Sequence, residues 1–271
     1  MQLKIATTAL LLACNTAEPP AVATRPAVVA HAPLVAAPTA PSKPVGLAPL
    51  GGNDALLDTV TLDDGSEAQV ALPIGATTAR PLVVGVHGSG DRPDWSCAEW
   101  RNVVDAYAFV VCPHGSAFGA AFAWSTVEQL DRRVIAAIAA VRAKYGAYVD
   151  AGPAIYAGFS QGATLAPYVV RRHAGVFPMI ALDEGGYAQA SDFGATFVRG
   201  GGRRALLSCS TFGCENDFSA SERTLARSGV DVRVSKLGPF GHTMNGRATS
   251  ALREQWKWLV RDDDRWKPWL A

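Results

Sequence analysis

Apolar residues recur along this chain with two different periods. Short valine- and leucine-rich runs at 81–86, 108–112, 154–159, 177–182, 204–208 and 230–236 read as strands, several of them apolar throughout and so buried on both faces. Segments 57–62 and 67–72 alternate enough to be two earlier strands. Between the strands the spacing turns helical. In 125–145 the residues Val127, Leu130, Val134, Ile138 and Val141 lie three and four apart, and Gly146 closes the helix. Helices are expected also at 98–106, 161–172, 219–227 and 248–261. Strands alternating with helices imply βαβ units and a mostly parallel central sheet with helices on both faces, an α/β fold.

The first fifty residues stand outside this pattern. Lys4 precedes an apolar stretch at 5–13, too short to span a bilayer, which reads as an export signal. Leu11-Leu12-Ala13-Cys14 resembles a bacterial lipobox, in which the cysteine is lipidated and becomes the mature N-terminus, although Leu12 is bulkier than usual there. A plain secretory signal is the other reading. Residues 15–50 hold eight prolines and ten alanines, so the backbone stays extended and cannot build a core. They read as a stalk, with His31 solvated, leaving one domain at 51–271.

Composition narrows the partners. Hydrophobic residues make up 49% of the chain and charged ones 18%, which excludes a highly charged disordered protein. A net charge of +1 argues against nucleic-acid binding. A membrane would be reached only through the lipid on Cys14. Four cysteines then remain in an oxidising compartment, and local pairing joins Cys97 to Cys112 and Cys209 to Cys214. A metal site is disfavoured by the absence of any closely spaced CxxC pair.

The strand at 154–159 runs directly into Gly158-Phe159-Ser160-Gln161-Gly162 and a helix. That is G-x-S-x-G in the strand–turn–helix setting that gives the motif its meaning. Ser160 is the candidate nucleophile, and a serine hydroxyl needs a base that is itself oriented by a carboxylate. His173 and His242 are the histidines that follow. His173 ends the helix after the motif beside Arg171 and Arg172 and reads as a helix-end surface residue, whereas His242 lies between the last strand and the last helix and is the candidate base. The acid is expected after the strand at 204–208 as Asp217, in preference to the neighbouring Glu215, with Asp183 after the preceding strand as the alternative. Asp217 would otherwise cap the helix near Ser219. Val86-His87-Gly88-Ser89-Gly90 follows a buried strand and suits an oxyanion loop, with backbone donors from Ser89 and Gln161. His87 is then structural, and His114 is given no catalytic role.

These motifs resemble the α/β-hydrolase superfamily over 82–260. Gly158-Phe159-Ser160-Gln161-Gly162 and His87-Gly88-Ser89-Gly90-Asp91 are similar to small bacterial carboxylesterases and acyl-protein thioesterases. Export and local disulfides are more similar to polyhydroxybutyrate depolymerases and feruloyl esterases. The resemblance implies an α/β-hydrolase fold and a serine esterase in which Ser160 is the nucleophile, His242 the base, and Gln161 and Ser89 the oxyanion donors. It implies a small-molecule or polymeric ester substrate, a monomer, no metal and no organic cofactor. It departs at the acid, because the usual glycine-rich Gly-x-x-Asp is replaced by the paired-cysteine loop. Two other readings use the same framework: a non-catalytic binding module tethered at the envelope, and a serine peptidase. The segment 184–203 carries six glycines where a lid is often inserted, suggesting an open cleft. Trp95, Phe118, Phe122 and Trp124 fall on loops at the active edge. Trp256, Trp258, Trp266 and Trp269 are expected to pack the last helix and tail.

Overall fold

The computed structural model describes residues 46–52, 56–173, 175–186 and 193–271. The export signal, Cys14, His31 and the stalk up to residue 45 lie outside the described residues. The end of the expected stalk belongs to the domain: the Leu47 and Leu50 N–H groups donate to Thr77 and Ala76 carbonyls, and Leu50 is buried.

In chain order the strands are β1 (Asp58–Thr61), β2 (Glu67–Ala71), β3 (Leu82–Val86), β4 (Phe109–Pro113), β5 (Ser116–Phe118), β6 (Ala121–Ala123), β7 (Ile155–Phe159), β8 (Met179–Asp183), β9 (Arg204–Cys209) and β10 (Asp231–Lys236). The helices are α1 (Pro93–Val103), α2 (Val127–Tyr145), α3 (Gln161–Val170), α4 (Phe193–Arg199), α5 (Cys214–Arg227), α6 (Gly246–Val260) and α7 (Lys267–Leu270). Eight strands form one sheet in the order β1-β2-β4-β3-β7-β8-β9-β10, while β5 and β6 form a separate hairpin. Within the eight-stranded sheet β1 and β2 pair antiparallel, as do β2 and β4, and the other pairings are parallel; the β5–β6 hairpin is antiparallel.

The period of two sorts the strands onto two cores. Leu82, Val84, Phe109, Val111, Tyr156, Ile180, Leu182 and Leu207 face α2, α3, α4 and α5. Their neighbours Val83, Val110, Ile155, Ala157, Met179, Ala181 and Leu206 face α1 and α6. Each fully buried aliphatic or aromatic side chain removes apolar area from water worth roughly 1.5–3 kcal/mol. Edge strand β10 instead alternates exposed and half-buried positions. α2 begins where expected because the Thr126 hydroxyl accepts from the Gln129 N–H at 3.1 Å, a cap closed from the other side by Gln129 Oε1 accepting from the Ser125 N–H.

Several elements differ from the sequence reading. α1 starts earlier, with Pro93 in its first turn, where the missing N–H costs nothing. α5 starts at Cys214, five residues before the expected Ser219. α4 occupies part of the glycine-rich segment, and residues 187–192 beside it lie outside the described residues. The hairpin β5–β6 was not foreseen, since strands of three residues are too short to show a period. Among the described residues no helix is long and apolar enough to cross a membrane. Both expected disulfides are present, Cys97–Cys112 with Cα atoms 5.6 Å apart and Cys209–Cys214 at 6.2 Å.

Candidate active site

The carboxyl ends of β3, β7, β8 and β9 lie side by side: Val86 is level with Gly158, Phe159 with Asp183, and Asp183 with Ser208. Each of these strands hands over to a loop at the same edge, and the candidate residues gather there. Ser160 follows β7 on a turn with φ +51° and ψ −113°, a conformation an L-residue holds only when its surroundings enforce it. The flanking glycines show why it can exist. A Cβ at Gly158 would stand 2.7 Å from the Ala163 nitrogen, and one at Gly162 would stand 2.5 Å from the Val86 carbonyl. Only glycine lets helix α3 start this close to the sheet.

His242 comes from the loop between β10 and α6, and its Nε2 lies 2.9 Å from Ser160 Oγ. Its ring packs against Phe159 with centroids 5.2 Å apart, and just over half of its side chain is exposed. The carboxylate facing the other ring nitrogen is not the expected one. Glu184 Oε2 stands 3.5 Å from His242 Nδ1. That is ion-pair distance, longer than a tight hydrogen bond, as is common before substrate binds. Glu184 directly follows β8, has φ +54°, and buries its side chain completely.

The disulfide-closed loop after β9 holds Glu184 in place. Glu184 accepts from the Ser210 N–H, from the Thr211 N–H at 3.1 Å and from the Thr211 hydroxyl at 2.7 Å. Burial pushes the Glu184 carboxyl up, but His242 and these donors outweigh it and hold the group below its ordinary value. In turn the Glu184 carboxylate holds His242 above the usual 6.5, against the opposing effect of burial.

Asp217 and Glu215, the expected acids, are not brought to His242. Because α5 begins at Cys214, both fall in its first turn, where carboxylates suit the helix dipole. Asp217 is exposed, and Glu215 pairs with Lys236 at 2.8 Å. Asp183, the alternative, is one residue short of the site. It ends β8 fully buried, accepting from the Ser208 hydroxyl at 2.7 Å, and its second oxygen has no partner. Burial raises its carboxyl to about 8. The native protein therefore keeps this proton while an unfolded chain, titrating near 3.8, releases it. This contribution to stability is present at low pH and is lost as pH rises towards 8. Asp183→Asn is expected to gain thermal stability relative to the parent between pH 5 and pH 8. Melting curves across that window check it, and a constant difference refutes it.

The loop after β3 lies against the serine. A Cβ on Gly88 would approach Ser160 Cβ to 3.1 Å. His87 is buried and structural: its Nε2 accepts from the Gly115 N–H at 3.0 Å, Nδ1 sits 2.7 Å from the Gly88 carbonyl oxygen, and its ring stacks on Trp124. Burial lowers its pKa to about 4, so it stays neutral. Farther along, Gly90 and Asp91 are clamped to Phe122 of β6 by two backbone hydrogen bonds of 2.9 Å. The Gln161 side chain grips both backbone groups of Trp124, at 2.9 and 3.0 Å. As first residue of α3, Gln161 has a backbone N–H without an acceptor inside the helix, and Ser89 is exposed at the loop's tip.

The other candidates separate cleanly. His173 pairs with Asp131 at 2.9 Å, at the far end of α3. His114 lies 3.2 Å from the Gln69 amide nitrogen. Trp124 is core, Phe118 is exposed, and Trp95 lines a cleft of about 330 Å³ together with Phe159 and His242. Trp256 and Trp266 are fully buried and in ring contact, Trp269 packs on Trp266, and Trp258 carries three arginines over its ring.

No protein-family model matches this chain, and no curated protein matches it. Solved structures do. A dienelactone hydrolase-like promiscuous phosphotriesterase, P91, from metagenomic libraries is similar with a TM-score of 0.57 at 16% identity, covering 75% of this chain and 98% of that one. Est1E from Butyrivibrio proteoclasticus gives 0.55 at 11% identity, covering 77% and 100%. Esterase PE8 gives 0.54 at 18% identity, covering 79% and 100%. Identities this low speak for the fold alone. Superposition over three quarters of the chain and nearly the whole of each neighbour, on a sheet with the strand order described above, assigns this chain the α/β-hydrolase fold.

Proposed function

We propose that the protein is a serine hydrolase of carboxylic esters, with Ser160 as nucleophile, His242 as base and Glu184 as the orienting acid. The contact of 2.9 Å between Ser160 Oγ and His242 Nε2, on a strained turn that presents the serine, carries this reading. Esterase PE8 adds support, since it carries an esterase name on the same fold.

In this mechanism His242 Nε2 takes the Ser160 proton as Oγ bonds to the ester carbonyl carbon. The carbonyl oxygen becomes an oxyanion, stabilised by the backbone N–H groups of Gln161 and Ser89. The imidazolium, held by Glu184, gives its proton to the departing alcohol oxygen as the C–O bond breaks. Water then repeats the sequence: His242 removes its proton, the hydroxide bonds to the acyl carbon, and Ser160 leaves with the proton returned. Labelling of Ser160 by a fluorophosphonate, together with turnover of short p-nitrophenyl esters, tests the proposal. A folded protein that does neither is not a serine hydrolase.

The two disulfides support export to an oxidising compartment. On the same reading Cys14 carries a lipid. Labelled palmitate incorporated by the expressed protein and lost in Cys14→Ser is the expected result; equal labelling of both leaves a plain secretory signal.

A further inference from the structure

The cleft beside His242 has an unusual electrical character. Its wall includes two carboxylates, Asp91 from the loop after β3 and Glu99 from α1, with the aromatic rings of Trp95 and Phe159. Among the described residues that line it there is no lysine or arginine. The nearby cations are engaged elsewhere: Arg92 is bound to both oxygens of Asp94, at 3.1 and 2.7 Å, and Arg247 lies over the Phe240 ring. The two carboxylates Asp91 and Glu99 thus line the cleft, whereas neither guanidinium does.

Both cleft carboxylates are poorly compensated. Glu99 Oε2 accepts from the Thr249 hydroxyl at 2.6 Å, a bond that ties α1 to α6, and Oε1 has no partner among the described residues. Asp91 accepts from backbone N–H groups, of which Arg92 N–H lies at 2.7 Å, with no cation on it. Burial pushes its carboxyl up from the ordinary value, against the two backbone N–H groups that lower it. Trp95 is 63% exposed, and it already holds the Arg92 guanidinium 4.8 Å from its ring centre. An indole ring attracts cations through its quadrupole.

We propose that this cleft binds the alcohol part of the substrate and selects alcohols bearing a positive charge, alkylammonium or quaternary ammonium, held by Asp91, Glu99 and the Trp95 ring. The inference rests on the serine-hydrolase reading, because His242 lines the cleft and must protonate the departing alcohol oxygen, which puts the alcohol on the imidazole side. Two carboxylates on a wall without lysine or arginine disfavour an alcohol that carries a carboxylate or phosphate.

A matched pair of esters tests this. Butyrylcholine and 3,3-dimethylbutyl butyrate have the same shape and differ by the charge on one atom. The ratio of their kcat/KM values is expected to favour the cation by about tenfold in the full protein, to shrink severalfold in 0.5 M salt, and to collapse towards one in Glu99→Gln. Glutamine keeps an oxygen for Thr249, so α1 and α6 stay joined. Asp91→Asn, read in the same ratio, serves if Glu99→Gln does not fold. Wild-type protein that hydrolyses both esters with no preference overturns the inference and leaves the hydrolase reading intact. A preference that survives both substitutions overturns it too. Absence of turnover and of fluorophosphonate labelling removes the hydrolase reading, and this inference with it.

Discussion

Alanine at Ser160 is expected to reduce ester turnover by on the order of 10⁴-fold or more and to abolish fluorophosphonate labelling. The hydroxyl removed is the one 2.9 Å from His242 Nε2, and no other serine among the described residues contacts that nitrogen. Glycine at the same position separates chemistry from conformation. Both variants lose the nucleophile, but alanine keeps the Cβ that makes φ +51°, ψ −113° costly, whereas glycine does not. Such strain is worth about 1–3 kcal/mol, partly offset by the roughly 0.5–1 kcal/mol of extra chain freedom that glycine loses on folding. Ser160→Gly should therefore be more stable than Ser160→Ala, by about 1 kcal/mol, in urea titrations. Equal stability of the two would mean the turn is not strained, and activity retained in Ser160→Ala would remove the proposed mechanism.

Glu184→Gln is expected to lower kcat by about 10³–10⁴-fold, while Asp217→Asn leaves it at the parent level. Glutamine retains the shape of the side chain and an oxygen for Thr211, but removes the charge that faces His242 Nδ1. The pH profile offers an independent readout. His242 must be neutral to take the Ser160 proton, and Glu184 holds its pKa above 6.5, so kcat/KM should rise with pH through an inflection above that value. In Glu184→Gln the imidazolium loses its partner and the inflection should move to lower pH. A profile unchanged by Glu184→Gln, or a loss of activity in Asp217→Asn instead, would return the acid to the α5 turn.

The acid also shows where sequence reading stops. Asp183 and Glu184 stand at the end of β8, and Glu215 and Asp217 come shortly after β9, so all four fall towards the same edge of the parallel sheet. Choosing among them requires knowing where β8 ends and where α5 begins. Both boundaries move by a few residues under tertiary packing, which local propensity does not register. β8 runs through Asp183, whose side chain the pleat buries against Ser208; Glu184, itself at positive φ, then turns towards His242. Asp183-Glu184-Gly185-Gly186 held a signal in its two carboxylates followed by glycines, but nothing local distinguishes the first acid from the second.

What the sequence determined by itself was whatever depends on short-range pattern. Apolar runs of five residues made the buried strands, helical spacing made α2, and Gly158-Phe159-Ser160-Gln161-Gly162 placed the serine, because the elbow's sterics are contained within five residues. Chain order was enough to prefer His242 over His173. The tertiary structure alone decided which carboxylate meets that histidine, how the Cys209–Cys214 loop holds it, and that Asp91 and Glu99 share one wall of the cleft. These are convergences of side chains from separate loops and helices. Their geometry follows from how the elements pack across the sheet edge, and no periodicity along the chain encodes it.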